Sequence, residues 1–340
     1  MARQIEGWLM VVTNNPRKPP RQTTAEAASE PERPERANDR QAAHLGTRET
    51  GDLPGRLPKV TKLDVEALSK KPIAGGAVIA ARIVAEVSTG MPSSGLVHLP
   101  SGETLAISDN TGVCEVRPGE DPRLLIELTD GEGITADSNG KFVYIVEEAT
   151  RRVRKLEVQR DDDGRLQLKD TKETRRLPKL KSQENKGWEG LAFLPKELAG
   201  GKDDFLVCVH EGSPRRLGIY ALPDLDEGHT FKLPKAAQDL LPDIADVAVD
   251  PKTGRIFVVS DQARTIVELA LVQQTKTATQ GLLTHVSLKV VSSVELPLSG
   301  RQKPEALHFD ERGRLWVGLD NENDDKHSGK ALVLELVRAP

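Results

Sequence analysis

The chain has 340 residues, with 48 Lys plus Arg against 52 Asp plus Glu, a formal net charge of -4 and 3% aromatic residues. Such a balance lacks the basic excess that displaces counterions from a nucleic acid, and so few rings offer little surface for stacking bases. No nucleic-acid partner is therefore expected. The longest apolar run near the start, Trp8 to Val12, is far short of the roughly 20 residues that span a bilayer and shorter than the usual core of a secretory signal, about 7 to 15 residues. The expectation is a chain with no transmembrane segment and no clear export signal, hence cytoplasmic and monomeric.

From Asn14 to about Lys59 the chain carries seven prolines (Pro16, Pro19, Pro20, Pro31, Pro34, Pro54, Pro58), many Arg and Glu, and almost no branched aliphatics. Such a stretch cannot bury enough apolar area to offset the entropy of ordering it. Residues 1–72 are read as a disordered segment and 73–340 as the folded domain. Val60 to Leu68 fits a strand or a helical turn equally well. Beyond Ala74 the apolar stretches are short and rich in Val, Ile and Leu, with Gly, Pro, Asp and Asn between them, which is strand chemistry bounded by turn chemistry. Helical periodicity is confined to about one turn at Ala236 to Leu241. Cys114 and Cys208 lie inside strand-like runs, far from any C-x-x-C spacing, and read as buried core residues.

Five segments repeat: SGLVHLPSGETLAISDN from Ser94, EGITADSNGKFVYIVEE from Glu132, EGLAFLPKELAGGKDDFLVCVHEG from Glu189, DVAVDPKTGRIFVVSDQ from Asp246 and EALHFDERGRLWVGLDN from Glu305. Each is a strand, a turn and a second strand ending in an acid. The separation from first residue to closing acid is 15 in four units: Ser94 to Asp109, Glu132 to Glu147, Asp246 to Asp261 and Glu305 to Asp320. In the third unit, Glu189 to Glu211, it is 22, the extra residues falling in the hairpin loop, where insertions are tolerated. A third strand follows every unit and a fourth follows the first four. Four strands per repeat define the blade of a β-propeller. The fold class is all-β: a five-bladed β-propeller of four-stranded antiparallel blades, or six if the segment before Ser94 holds more than one strand. Val78 to Val87 can supply the outer strand that the fifth unit lacks, closing the ring.

In a propeller the start of each first strand and the end of each second strand lie at the same end of the central channel. Glu132, Glu189, Asp246 and Glu305, with Ser94 completing the ring, should therefore gather beside Asp109, Glu147, Glu211, Asp261 and Asp320. Nine carboxylates so close repel one another unless protonated or neutralised. Ca2+ is the natural counter-ion, since it accepts several oxygens in flexible geometry. The nine are candidate metal ligands, and nearby Lys186, Lys303 and Arg301 are candidate contacts to an anionic substrate. Capping of turns and pairing with local bases are the alternative roles of these acids. His98, His210 and His308 lack zinc-like partner spacing. Asp161 to Gly164 reads as a solvated hairpin turn, and Asn321 to Asp325 could add a ligand beside Asp320.

At these residues the chain resembles the SdiA-regulated family of calcium-binding β-propellers, and more loosely the phytase-like and esterase-like propellers. The matching pieces are SGLVHLPSGETLAISDN, Asp130-Gly-Glu132-Gly-Ile134, Asn185-Lys-Gly-Trp-Glu189-Gly-Leu and PEALHFDERGRLWVGLDNE. The resemblance implies a propeller with metal on its acidic face, in a family often exported or membrane-anchored. The last unit departs from the pattern, with Pro304-Glu305-Ala306 where the family has Glu-Gly and GLDNEN where it has Ser-Glu. Two functions follow. One is a calcium-clamped propeller that binds a small molecule or protein at the acidic channel mouth. The other is a divalent-metal-dependent hydrolase of phosphate or carboxyl esters, with metal-bound water as the attacking group. No G-x-S-x-G is present to suggest a serine nucleophile.

Overall fold

The computed structural model describes residues 76–180, 187–199, 202–278, 281–298, 302–321 and 329–339. The segment expected to be disordered, 1–72, lies outside the described residues, as do Lys186, Arg301 and 322–328. Strand β1 (Val78–Ser88) precedes the first repeat. Blade 1 comprises β2 (Gly95–His98), β3 (Thr104–Ser108), β4 (Gly112–Val116) and β5 (Arg123–Glu127). Blade 2 comprises β6 (Gly131–Ala136), β7 (Phe142–Glu147), β8 (Arg152–Arg160) and β9 (Leu166–Arg176). Blade 3 comprises β10 (Trp188–Leu194), β11 (Phe205–His210), β12 (Arg216–Ala221) and β13 (Gly228–Lys232). Blade 4 comprises β14 (Asp246–Val249), β15 (Ile256–Ser260), β16 (Thr265–Ala278) and β17 (Gly281–Glu295). Blade 5 comprises β18 (Gln302–Phe309), β19 (Leu315–Asn321) and β20 (Lys330–Arg338), with β1 as its outer strand.

Each blade is a four-stranded antiparallel sheet, and the inner strands β2, β6, β10, β14 and β18 touch in cyclic order. The ring has five blades. Period-two alternation explains how these short strands support it, because each sheet buries both faces against its neighbours. On β7, Val143 and Ile145 pack toward blade 1 while Tyr144 and Val146 pack toward blade 3. On β15, Ile256 and Val258 pack toward blade 3 while Phe257 and Val259 pack toward blade 5. Each such side chain contributes on the order of 1.5–3 kcal/mol on burial. Cys114 and Cys208 are both buried. The single helical turn expected at Ala236 is observed as Lys235–Leu240, and a second short turn, Lys196–Ala199, occupies the hairpin insertion of blade 3.

Three strands of blades 2 and 4 run on beyond their apolar cores. The charged stretch after Lys169 continues β9 to Arg176, because an outer strand faces water and tolerates Lys, Arg and Glu along its edge. β16 and β17 pair as far as Ala278 with Gly281, a run of β-branched and other strand-compatible residues without proline.

Ring closure rests on β1 pairing with β20 from Val78 opposite Arg338 to Ser88 opposite Lys330. A buried ionic knot holds this seam to blade 4. Glu268 accepts Arg255 Nη1 at 2.5 Å, Arg338 Nη1 at 2.7 Å, the Ser292 hydroxyl at 2.6 Å and the Val78 amide at 3.1 Å. These donors outweigh burial and hold the Glu268 carboxyl below its usual range. Arg338 also reaches Asp250 at 2.8 Å. Removing one partner from a buried ion pair leaves the others desolvated and uncompensated. Glu268→Ala should therefore lower the unfolding free energy by about 3–5 kcal/mol, and Ser292→Ala by only about 1 kcal/mol, as read by urea denaturation.

Candidate functional site

The first strand of each repeat starts, and the second ends, at one mouth of the channel. The cross-links are direct: the Ser94 amide donates to Ile107 O (2.9 Å), Asp130 to Asp109 O (2.8 Å), Glu148 to Asp130 O (3.1 Å), Glu211 to Gly187 O (3.1 Å) and Ala245 to Val259 O (3.0 Å). At three inner strands the ladder slips where the acid sits: between Gly131 and Gly133, between Trp188 and Leu191, and between Pro304 and Ala306. A bulge re-aims a side chain out of the pleat. Glu132, Glu189 and Glu305 occupy these bulges.

The glycine after two of these glutamates has a packing reason. A Cβ on Gly133 would lie 2.7 Å from Glu189 O and Leu191 N, and one on Gly190 would lie 2.3 Å from Asp246 Oδ1. Blade 5 has Ala306 at that position, and the small residue is moved to its strand partner Gly318, where a Cβ would lie 2.8 Å from that of Ala306.

One cluster has metal-ligand spacing. Carboxylate oxygens of Asp130, Glu132 and Glu148 all lie within 4.8 Å of one another. Asp130 is fixed by its backbone, left-handed at φ 68°, and by Oδ2 accepting the Ala149 amide at 2.7 Å. Ser94 hydrogen-bonds Glu132, and Glu189 hydrogen-bonds Glu148. Burial, then the charges of Glu148, Glu132 and Glu211, push Glu189 well above the ordinary carboxyl range. Burial and then Asp109, Glu148 and Asp130 push Glu132 up to about 7. Asp130 and Glu148 are raised too, again chiefly by burial. At these separations each like-charge pair costs about 3–4 kcal/mol at an effective dielectric of 20.

The remaining expected ligands divide. Glu211 acts on Glu189, and Asp109 on Glu132, through charge. Glu305, pushed up to about 7 by burial and then Asp320, belongs to a second group with Asp320, Lys303 and Asp243. There Lys303 lies 3.7 Å from Asp261, and the buried Asp243 accepts the Ser260 hydroxyl. Asp246 departs from the expected arrangement at the mouth. It is 1% exposed and its oxygens accept the amides of Val247 (2.7 Å), Leu191 (3.3 Å) and Leu307 (2.6 Å), so it ties three inner strands together beneath the mouth. Burial still pushes its carboxyl well above the usual range.

Glu147 is also reassigned. It accepts the Thr150 hydroxyl at 2.7 Å and lies 3.6 Å from Arg154, while Glu148 enters the cluster. The spacing of 15 misplaced it because the blade 2 hairpin, Ala136 opposite Val143, is one residue longer than those of blades 1 and 5, His98 opposite Thr104 and Phe309 opposite Leu315. Glu148 is thus the counterpart of Asp109 and Asp320. The Glu147-Glu148 doublet was the available signal; Asp130, outside the repeated positions, was signalled by the Asp130-Gly-Glu132 motif, and Asp243 by nothing in the repeat. Of the expected basic contacts, Lys303 is placed at the mouth, and Lys186 and Arg301 lie outside the described residues.

The histidines are structural in their visible contacts. His210 Nδ1 accepts the Gly212 amide at 3.0 Å with Trp188 edge-on to its ring, and His98 and His308 lie at the opposite end of the channel. The Asp161 turn is observed as expected, Oδ1 accepting the Asp163 and Arg165 amides.

The fold and the acid-lined mouth define a closed five-bladed propeller with a carboxylate cluster at one channel opening. A sequence profile described as SdiA-regulated matches residues 123–320, more than half the chain. The chain belongs to the SdiA-regulated family. No curated protein sequence matches it. Similar solved structures include a putative oxidoreductase (glucose dehydrogenase) from Thermus thermophilus, at 13% identity and TM-score 0.43 over 75% of this chain and 99% of that one. Others are a gluconolactonase from Xanthomonas campestris, at 12% identity and TM-score 0.38 over 84% of its length and 83% of this chain, and the calcium structure of a Trichoderma reesei family AA12 protein, at 11% and 0.39 over 99% of its length and 79% of this chain. Likeness at this level carries no functional argument.

The raised carboxyls fix a sign for pH dependence. Glu132 keeps its proton in the folded state to about 7 but loses it near 4.5 when unfolded, so its penalty is absent below 4.5 and complete above about 7. In chelator, Glu132→Gln should be near neutral at pH 4.5 and stabilise by about 3 kcal/mol at pH 8. Urea unfolding of both proteins across this range measures the difference.

Proposed function

We propose that this propeller is a divalent-cation-dependent binding protein, its cation held by Asp130, Glu132 and Glu148 with Glu189 adjoining, and its ligand or protein partner engaged at the acidic mouth. The observation that carries the reading is the convergence of three carboxylates within 4.8 Å of one another, with two further acids beside them. The donor set fits a hard cation: it offers only oxygen, and calcium accepts six to eight such ligands in adaptable geometry. The raised proton affinity of Glu132, Glu148 and Glu189 supports the fit, because a cation would relieve the repulsion that, with burial, raises it. Calcium is the proposed ion, and a bound cation would supply positive charge at the mouth.

The hydrolytic alternative, of phytase-like or esterase-like type, needs the same ion to lower the pKa of a water and a base or cation to receive the substrate. The described candidate, Lys303, lies against Asp261 at 3.7 Å, which favours the binding reading. A cytoplasmic location is proposed with it.

Calcium titrated into the chelator-treated chain should give saturable heat by calorimetry and raise the melting temperature. Glu148→Gln should weaken binding by at least about tenfold, the worth of roughly 1.4 kcal/mol, whereas Glu147→Gln should leave it nearly unchanged. Equal losses from both substitutions, or none, would refute the assignment. Calcium-dependent turnover of p-nitrophenyl phosphate or acetate, abolished by Glu148→Gln, would select the hydrolase instead.

A further inference from the structure

The channel has a second mouth, at the end where the hairpins from first to second strands lie. A cavity of about 180 Å3 opens there, and every inner strand contributes to its wall: His98 from β2, Thr135 from β6, Phe193 from β10, Val249 from β14, and His308 and Phe309 from β18. Leu191, Val247 and Leu307 also line it, and their amides are the three that donate to Asp246. Asp246 therefore stands between this chamber and the acidic mouth, and the two are separate compartments of one channel.

The chemistry of the wall is neutral. No Lys or Arg lines the chamber among the described residues. The acids at its rim are engaged: Asp137 Oδ1 accepts the Lys141 and Phe142 amides, and Asp310 is held by Arg314 at 2.7 Å and the Trp316 indole at 3.1 Å. Nothing in the described lining offers a positive charge to an anion, and Glu311 and Asp137 at the rim would repel one. Two imidazoles and the hydroxyls of Thr135 and Ser138, with the Glu311 carboxylate at the rim, remain as side-chain hydrogen-bonding groups in the described lining. Thr135 Oγ1 accepts the Phe193 amide at 3.0 Å, which leaves its hydroxyl proton to donate. His98 uses Nδ1 on Thr104 at 3.0 Å and stacks on Trp316. Burial holds His308 down at about 4, so its ring is uncharged at neutral pH. Phe193, Phe309 and Val249 supply flat apolar surface. On size, a cavity of about 150 Å3 accepts benzene, whereas drug-sized ligands need about 300 Å3 or more.

We propose that this hairpin-end chamber is a second binding site, taking an uncharged single-ring molecule that carries one or two hydroxyl groups. The ring lies against the aromatic and aliphatic wall, and its hydroxyls meet Thr135 and the histidines. The site is independent of the acidic mouth, and its occupancy does not need a cation.

Saturation-transfer NMR on the full chain tests this, with phenol as the aromatic probe, cyclohexanol as the saturated one and benzoate as the anionic control. Transfer to phenol or to cyclohexanol, unchanged by chelator and absent for benzoate, is the expected result, and whichever probe responds identifies the ring type. Ala136→Phe, which fills the chamber from its rim, should abolish transfer. Thr135→Val should weaken binding roughly threefold to tenfold, the worth of one neutral hydrogen bond, with Thr135→Ser restoring it; this pair decides the matter if the Phe variant does not fold. Absence of transfer to both neutral probes, equal transfer to benzoate, loss on chelation, or persistence in a folded Ala136→Phe variant would each overturn the proposal.

Discussion

Closure of the ring is the constraint on which the molecule depends. The blade formed last in the chain, β18 to β20, is completed by β1, the earliest described strand, so the two ends of the domain are paired by backbone hydrogen bonds. A sheet of three strands would leave an exposed edge there, open to association with another chain. Glu268 adds a second tie, because one buried carboxylate satisfies the Val78 amide, Arg255, Arg338 and Ser292 together. Such a knot is costly to break rather than strongly stabilising to form, and its effect is to define one register of closure.

Once the ring is closed, the placement of acids follows from strand polarity. Every inner strand starts at the same mouth, and the bulges at Glu132, Glu189 and Glu305 turn their side chains out of the sheet. The carboxyls are then crowded and partly dehydrated, and burial raises their proton affinity more than their neighbours do. The five blades do not respond alike. In blade 2 the acids Asp130, Glu132 and Glu148 gather closely. Blades 4 and 5 place Lys303 among theirs.

Asp246 shows how an offset of one residue changes a role. The Ala245 amide makes the bond to Val259 O that Ser94 makes to Ile107 O, so Asp246, opposite Val259 as Gly95 is opposite Ile107, stands at the small-residue position of the other blades and spends both oxygens on backbone amides of three adjoining strands. The two ends of the channel consequently differ in chemistry, carboxylates gathering at one and a cavity lined by aromatic, aliphatic and imidazole groups lying at the other. Functions placed at the two ends can evolve separately on one scaffold, since neither shares its contacting groups with the other.

Much of this was legible in the residues alone. The five repeats, the strand positions, the outer strand borrowed from Val78 to Val87 and the choice of mouth for the acids all follow from local alternation, turn residues and the polarity of antiparallel strands, which are properties of neighbouring residues. Three things were not. Glu148 rather than Glu147 joins the cluster because a one-residue difference in hairpin length shifts the equivalence, and spacing counted along the chain cannot distinguish a longer hairpin from a shifted strand end. Asp130 and Asp243 lie just ahead of the repeated positions and meet Glu148 and Ser260 at the far ends of the second strands of their own blades, so the repeat spacing did not reach them, although Asp130 stood in the Asp130-Gly-Glu132 motif. Asp246 looks like its fellow acids in sequence, and its role depends on amides of Leu191 and Leu307, more than fifty residues away on either side. Local pattern determines which residues form blades; which carboxyls gather together and which meet an amide is decided by hairpin length and by contacts between strands far apart in the chain.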